Sequence, residues 1–148
     1  MNTQPLAADN PAEVHHRTMD IQGVSLFYRE AGPAQAPTVL LLHGFGASSY
    51  MFRDIIPQLA TRYHVIAPDL PGFGQTSVLP GVQFAYTFDN LASVIDAFTV
   101  AKGVERYAIY VFDYGAAPRG WRRSARPMPC AYRPSRRSSL LRNRCRSG

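Results

Sequence analysis

Cysteine is scarce in this sequence, and its scarcity excludes two kinds of site. The 148 residues contain two cysteines, Cys130 and Cys145. Their spacing matches neither a CxxC redox pair nor the paired ligands of a zinc site. We therefore assign them no role.

Long hydrophobic runs are also missing. Hydrophobic residues make up 46% of the chain, as in a globular protein. No apolar run approaches the roughly 20 residues that a helix needs to cross a bilayer. Residues 1–14 are polar and contain prolines, without the basic and then apolar segments of a secretory signal. We expect a soluble, cytoplasmic protein with one small domain and no membrane partner.

Acidic residues and histidine are absent from the end of the chain. Residues 119–148 hold ten arginines, whereas all ten acids lie before them, so the formal net charge of +6 arises in this stretch. Like charges with few aliphatic side chains favour a disordered segment. The alternative is a nucleic-acid-binding module, in which arginines contact phosphates while Trp121 and Tyr132 stack on bases. We expect no specific nucleic-acid partner.

The body of the chain alternates between strand-like and helix-like patterns, which is typical of an α/β fold. Extended segments at 18–21 and 24–30, joined by Gln22 and Gly23, predict a β-hairpin. Apolar runs predict three further strands, and that of 38–42 is continuous enough to be buried on both faces. These runs cover residues 38–42, 64–67 and 107–112.

Two helices are predicted between these strands. Apolar residues recur at helical spacing over 51–59, behind the cap candidates Ser48 and Ser49, and Pro57 should kink that helix. The second helix begins behind Thr87, presents apolar residues on one face and ends at Gly103.

One acidic residue stands at the end of the last predicted strand. The apolar run 108–112 leads into Asp113, Tyr114 and Gly115, so the strand delivers a carboxylate to a sharp turn that closes on glycine. Such an elbow holds a nucleophile clear of the sheet and points the following backbone N–H groups at the reacting centre. A serine there would transfer acyl groups, whereas an aspartate would attack carbon and form an ester. Taken alone, Asp113 also suits a helix cap.

Three ordered motifs resemble the α/β-hydrolase family, in its aspartate-nucleophile branch of epoxide hydrolases and haloalkane dehalogenases. HGFG at 43–46 stands where the family has its His-Gly loop, DLPGFG at 69–74 matches the loop after the next strand, and FDYG at 112–115 matches the nucleophile elbow. Three motifs in order are far more specific than one. The resemblance covers about residues 20–121 and implies a partial α/β-hydrolase fold, with a hairpin and parallel strands flanked by helices.

The resemblance also implies roles for individual residues. Asp113 would be the nucleophile, and the backbone N–H groups of Phe45 and Tyr114 would form the hole for developing negative charge. Structural roles near the site fall to His43, Gly44, Gly46 and Gly115. The resemblance implies a small-molecule substrate, no cofactor and no metal.

Two positions depart from the dehalogenase pattern. Those enzymes usually hold the halide with a side-chain donor in the His-Gly loop and a tryptophan after the nucleophile, where this chain has Phe45 and Tyr114. Phenylalanine donates only through its backbone, as in the epoxide-hydrolase loop, although that loop usually has proline in place of Gly46. Epoxides and haloalkanes therefore both remain candidate substrates.

The family's base, its orienting acid and its cap domain all follow the nucleophile. Here all four histidines precede Asp113 and no acid follows it, which predicts a truncated chain without turnover. Our hypothesis for this tail is a reading-frame shift soon after Gly115. Over residues 126–132, the codons read in an offset frame can encode amino acids that suit the family's next helix-to-strand junction. We expect a flexible segment at 1–17, the hydrolase core at 18–121 and an Arg/Ser-rich tail at 122–148.

A dinucleotide-binding, Rossmann-like fragment is the other alternative. Gly44 and Gly46 after one strand, with Asp69 ending the next, mimic a dinucleotide fingerprint, but the third glycine is missing. The preceding hairpin and the PGFG sequence at 71–74 are foreign to such a unit.

Overall fold

Six strands form one mixed sheet in the computed structural model, which describes residues 13–116. The strand order is β1-β2-β4-β3-β6, with the short β5 paired to β2. β3 runs parallel to β4 and β6, whereas β2 is antiparallel to β1, β4 and β5. The strands are β1 (His15–Ile21), β2 (Val24–Ala31), β3 (Thr38–Leu42), β4 (His64–Pro68), β5 (Ser77–Val78) and β6 (Tyr107–Val111).

Several expectations lie outside the described residues. They concern the arginine-rich tail with its two cysteines, nucleic-acid binding by that tail, the frame shift, and most of the flexible N-terminal segment. Residues 13–17 of that segment are described, and residues 15–17 belong to β1.

The predicted hairpin is confirmed, with β1 beginning three residues before the expected start at residue 18. Gln22 and Gly23 have φ angles of 51° and 80°. Positive φ at both central residues is the geometry of a type I′ turn, whose twist matches that of paired strands. The turn sets Ile21 opposite Val24.

β3 and β4 are buried because helical segments cover both faces of the sheet at these strands, whereas β6 is exposed at Tyr110 and Val111. Leu40 and Leu42 of β3 pack in a core with Phe98. Leu41, which points to the other face, packs in a second core with Ile56. This two-sided burial explains why the strand sequence is continuously apolar instead of alternating.

The first predicted helix is divided into two short pieces, a 3-10 helix at Ser49–Phe52 and α1 at Ile56–Ala60. Ser48 caps the first piece, because its Oγ accepts the Tyr50 N–H at 3.3 Å. The expectation that Pro57 kinks one helix is wrong, since Pro57 lies in the first turn of α1. A helix needs no N–H donor there, so proline suits its start.

The second predicted helix is confirmed as α2 (Phe88–Ala101). Thr87 Oγ1 accepts the Asn90 N–H at 3.2 Å and caps it. Gly103 follows the last turn with φ of 67°, a left-handed conformation that commonly ends helices. Within residues 13–116, no helix is long and apolar enough to cross a membrane.

The strand order contradicts the Rossmann alternative. In a dinucleotide-binding unit of order 3-2-1-4, the third parallel strand lies beyond the second. Here antiparallel β2 takes the place beside β4, and the third parallel strand, β6, lies on the far side of β3. The loop after β3 also leads into a 3-10 helix, which is not the α-helix N-terminus that binds a pyrophosphate.

Candidate active site

The three sequence motifs meet at one edge of the sheet. Because β3, β4 and β6 are parallel, their carboxyl ends lie at the same edge. The loops that follow these ends contain the HGFG, DLPGFG and FDYG motifs. This is the edge at which open α/β sheets bind ligands.

Asp113 stands in a strained turn directly after β6. Its φ of 47° is left-handed, and it begins a 3-10 helix at Asp113–Ala116. A non-glycine residue in that region costs about 1–3 kcal/mol, and the surrounding structure must impose it. The Phe112 N–H donates to the Leu42 carbonyl at 3.1 Å, and the Gly115 N–H donates to the Phe112 carbonyl at 2.9 Å. The side chain of Asp113 is exposed to solvent.

Two glycines allow this turn to lie close to the loop after β3. A Cβ on Gly44 would lie 2.8 Å from the Asp113 Cβ, and one on Gly115 would lie 2.8 Å from the Leu42 carbonyl oxygen. Gly46 differs, because it has φ of 68° with open space around it. Gly44 and Gly115 are therefore required by close approach, and Gly46 by backbone conformation.

The backbone of Phe45 contacts the carboxylate directly. The Phe45 N–H donates to Asp113 Oδ2 at 3.1 Å. Tyr114 follows Asp113 on the same turn. This hydrogen bond fixes one carboxylate oxygen, and no described residue donates to Oδ1.

An aromatic surface adjoins the carboxylate. The ring of Phe45, 67% exposed, lies 5.1 Å from that of Tyr114 and 5.7 Å from that of Phe73. The ring of Phe88, at the start of α2, lies 4.9 Å from that of Tyr114. Phe73 and Phe88 were not among the predicted site residues, although the sequence pattern marks Phe84, Tyr86 and Phe88 as core or pocket wall.

His43 is a buried structural residue. Its Nδ1 contacts the Gly44 carbonyl oxygen at 2.9 Å, and its Nε2 contacts the Leu70 N–H at 2.9 Å. A carbonyl only accepts and an amide only donates, so Nδ1 carries the proton and Nε2 accepts. Burial lowers the pKa of His43, against the opposing effects of the Gly44 hydrogen bond and the Asp69 charge. The neutral ring links two loops and has no free nitrogen.

Asp69 is a second link between these loops, which the sequence did not reveal. The residue is 1% exposed. Its Oδ1 accepts the Ser49 N–H at 2.6 Å, and its Oδ2 accepts the Gln75 N–H at 2.8 Å. Ser49 Oγ in turn accepts from Arg29 Nε at 3.1 Å. The available signal was the place of Asp69 at the start of the DLPGFG motif.

A separate cluster of charges lies at the opposite edge of the sheet, beside a cleft of about 570 Å³. Glu30 Oε1 accepts from His64 Nε2 and Lys102 Nζ, both at 2.7 Å, while Arg17 Nε lies 3.1 Å from Oε2. Burial alone would raise the pKa of Glu30, but the hydrogen bonds and charges of His64 and Lys102 lower it to about 2. The cluster does not contact Asp113.

Among residues 13–116, no three His, Cys, Asp or Glu side chains are grouped so that they could hold a metal ion.

Comparisons with known proteins agree with this geometry. A family model described as alpha/beta hydrolase fold matches residues 37–118. The uncharacterized hydrolase YNR064C of Saccharomyces cerevisiae is 49% identical over 107 residues, which are 72% of this chain and 36% of that protein. Epoxide hydrolase A of Mycobacterium tuberculosis is 39% identical over 101 residues, which are 68% of this chain and 31% of that protein.

A solved structure is similar over the same region. The crystal structure of haloalkane dehalogenase DbeA from Bradyrhizobium elkani matches with a TM-score of 0.66 and 35% identity, covering 71% of this chain and 35% of that chain. The chain thus spans about a third of the length of these relatives. Together these matches confirm the resemblance carried by the three motifs.

Proposed function

Since the chain belongs to the α/β-hydrolase family, we propose that Asp113 is the nucleophile of a hydrolase acting on epoxides or halogen-bearing carbon. The hydrogen bond from the Phe45 N–H to Asp113 Oδ2, at 3.1 Å, is the observation that carries the proposal. It orients an exposed carboxylate and leaves Oδ1 to react. The names of the relatives, an epoxide hydrolase and a haloalkane dehalogenase, support both substrate classes.

The first chemical step would be displacement at carbon. Asp113 Oδ1 forms a bond to the substrate carbon while the carbon–oxygen or carbon–halogen bond breaks. The electron pair leaves with the epoxide oxygen, which takes a proton from water, or with the halide. The product is an ester of the Asp113 side chain.

The second step would hydrolyse that ester. Water attacks Cγ of Asp113, and negative charge develops on Oδ2. The Phe45 N–H already contacts this oxygen, and we assign the Tyr114 N–H as its second donor. Backbone donors fixed before reaction stabilise an oxyanion at little reorganisation cost. Collapse of the intermediate breaks the bond between Cγ and Oδ1, the leaving alcohol takes one proton of the attacking water, and the other proton passes to solvent as the carboxylate is restored.

We also propose that the 148-residue polypeptide by itself stops at the ester, because its histidines do not reach the site. Both nitrogens of His43 are engaged. His15 and His16 lie on β1, four strand spacings from β6 or roughly 19 Å away. His64 lies level with Tyr107, six residues and roughly 20 Å along the strand from Asp113. No His, Asp or Glu follows Asp113 in the chain.

Intact-mass spectrometry after incubation with an aryl epoxide or a bromoalkane tests both proposals. We expect one adduct per chain, located on Asp113 by peptide mapping and removed by hydroxylamine as an ester would be. Asp113→Asn should abolish the adduct, and Asp89→Asn, an exposed acid at the start of α2, should retain it. An adduct on another residue, or none at all, would refute the nucleophile. Many product molecules per chain would refute the arrest at the ester.

A further inference from the structure

The loop that carries the Phe45 N–H is anchored at both ends to the loop after β4. At its start, His43 Nε2 accepts the Leu70 N–H at 2.9 Å. At its end, the Ser49 N–H donates to Asp69 Oδ1 at 2.6 Å. Both anchors are buried, whereas Phe45 and Gly46 between them are exposed and residues 47–48 are half-buried.

Between the anchors, little else holds the loop. Gly46 has φ of 68°, and a Cβ built on it would have no neighbouring atom within 4 Å. The Ala47 N–H donates to the Gly44 carbonyl at the long distance of 3.3 Å. The Phe45 side chain is 67% exposed and contacts the rings of Phe73 and Tyr114, so its packing holds the backbone less firmly than the buried anchors do. The position of the Phe45 N–H therefore depends on the anchors.

The Asp69 carboxylate is fixed by hydrogen bonds at both of its oxygen atoms. Oδ2 accepts the Gln75 N–H at 2.8 Å. A Cβ on Gly74 would lie 1.9 Å from that oxygen, so the backbone closes directly on the carboxylate. An ionised carboxylate accepts at both oxygens, whereas an amide of the same shape accepts at one and presents N–H groups at the other.

From this geometry we propose that Asp69 is a positioning residue that sets the Phe45 N–H on Asp113 Oδ2 and thereby controls breakdown of the Asp113 ester. The effect on ester breakdown rests on the function proposed above for Asp113. The effect on the position of the Phe45 N–H is independent of that function, since it concerns the unreacted protein.

The first test is spectroscopic. In the wild-type chain, the Phe45 amide proton resonance should lie downfield, because the Asp113 carboxylate accepts from it. Asp69→Asn should move the resonance upfield. Asp54→Asn is the matched control, since its side chain is 80% exposed, and it should leave the resonance unchanged.

The second test follows the ester. Loss of one oxyanion donor typically costs about 10²–10³-fold in rate. We expect hydroxylamine to remove the adduct of Asp69→Asn about 100-fold more slowly than that of wild type, with Asp54→Asn matching wild type. A residue that only stabilised the fold would lower the fraction of chains that react and leave the rate constant unchanged.

If Asp69→Asn does not fold, Asp69→Glu serves as the second variant. It keeps the charge and both acceptor oxygens but moves the carboxylate by one methylene, so it should also displace the Phe45 resonance. An unchanged Phe45 resonance in the folded variant would overturn the positioning role. If wild type forms no adduct, the proposed nucleophile fails, and the Phe45 resonance still decides the role of Asp69.

Discussion

Gly115 rests against the backbone of Leu42. A Cβ on Gly115 would lie 2.8 Å from the Leu42 carbonyl oxygen and 2.9 Å from that of His43. Both atoms belong to the main chain at the end of β3 and cannot rotate away. The turn that presents Asp113 is therefore seated directly on the central strand.

Gly115→Ala should destabilise the fold and displace the turn. Overpacking against a rigid backbone costs about 1–3 kcal/mol, and we expect the upper part of that range in urea unfolding. Gly103→Ala is the control, because a Cβ there has open space and meets only the backbone strain of φ 67°. Equal stability of the two variants would contradict the close approach.

Gly74→Ala should be among the most damaging single-methyl additions in the described residues. Its Cβ would lie 1.9 Å from Asp69 Oδ2, in addition to the strain of φ 56°. Gly81→Ala shares the strain, with φ of 83°, and has nothing within 4 Å. We expect the free energy of unfolding to fall by about 1 kcal/mol for Gly81→Ala and by at least about 3 kcal/mol for Gly74→Ala. Similar losses would show that the loop relaxes freely.

His43→Phe should lower stability at pH 8 by about 2 kcal/mol, because the Leu70 N–H and the Gly44 carbonyl lose their partner in a buried place. The wild type carries a pH dependence as well. Since burial lowers the folded-state pKa of His43 below 6.5, the unfolded chain binds a proton first as the pH falls.

The contribution of neutral His43 to the free energy of unfolding is therefore fully present above pH 6.5 and declines below it. In urea unfolding measured between pH 8 and pH 5, His43→Phe should remove the part of the fall in unfolding free energy that His43 causes. His15→Phe, at an exposed position on β1, should retain it. An identical pH profile for His43→Phe and wild type would refute the assignment.

Glu30→Gln should weaken the fold at neutral pH and lose its effect in acid. The folded-state pKa of Glu30, about 2, lies below its ordinary value of 4.5, so its stabilising effect is present above pH 4.5 and is lost as the pH falls toward 2. At about 1.36 kcal/mol per pK unit, Glu30→Gln should lower the free energy of unfolding at pH 7 by about 3 kcal/mol or less. Glu105→Gln, at an exposed position, should change little. A destabilisation by Glu30→Gln that persisted at pH 2 would contradict the ionic origin.

Local rules predicted most of the fold correctly. Gln22 and Gly23 specify a hairpin turn by their tolerance of positive φ, and Thr87 caps α2 with its own hydroxyl. Pro57 was misjudged because helical periodicity continues through 51–59, while the position of a helix start depends on tertiary packing. Phe52 and Ile56 are both buried against the sheet, in two separate helical pieces.

The sequence alone predicts the family, the order of the strands along the chain and the three loops of the candidate site, because these depend on short motifs and local conformation. Which atoms contact one another depends on the tertiary structure. The Phe45 N–H reaches Asp113 across 68 positions of sequence, and Lys102 reaches Glu30 across 72. Such contacts depend on which strands become neighbours in the sheet, and the free energy that selects neighbouring strands belongs to the packed core as a whole.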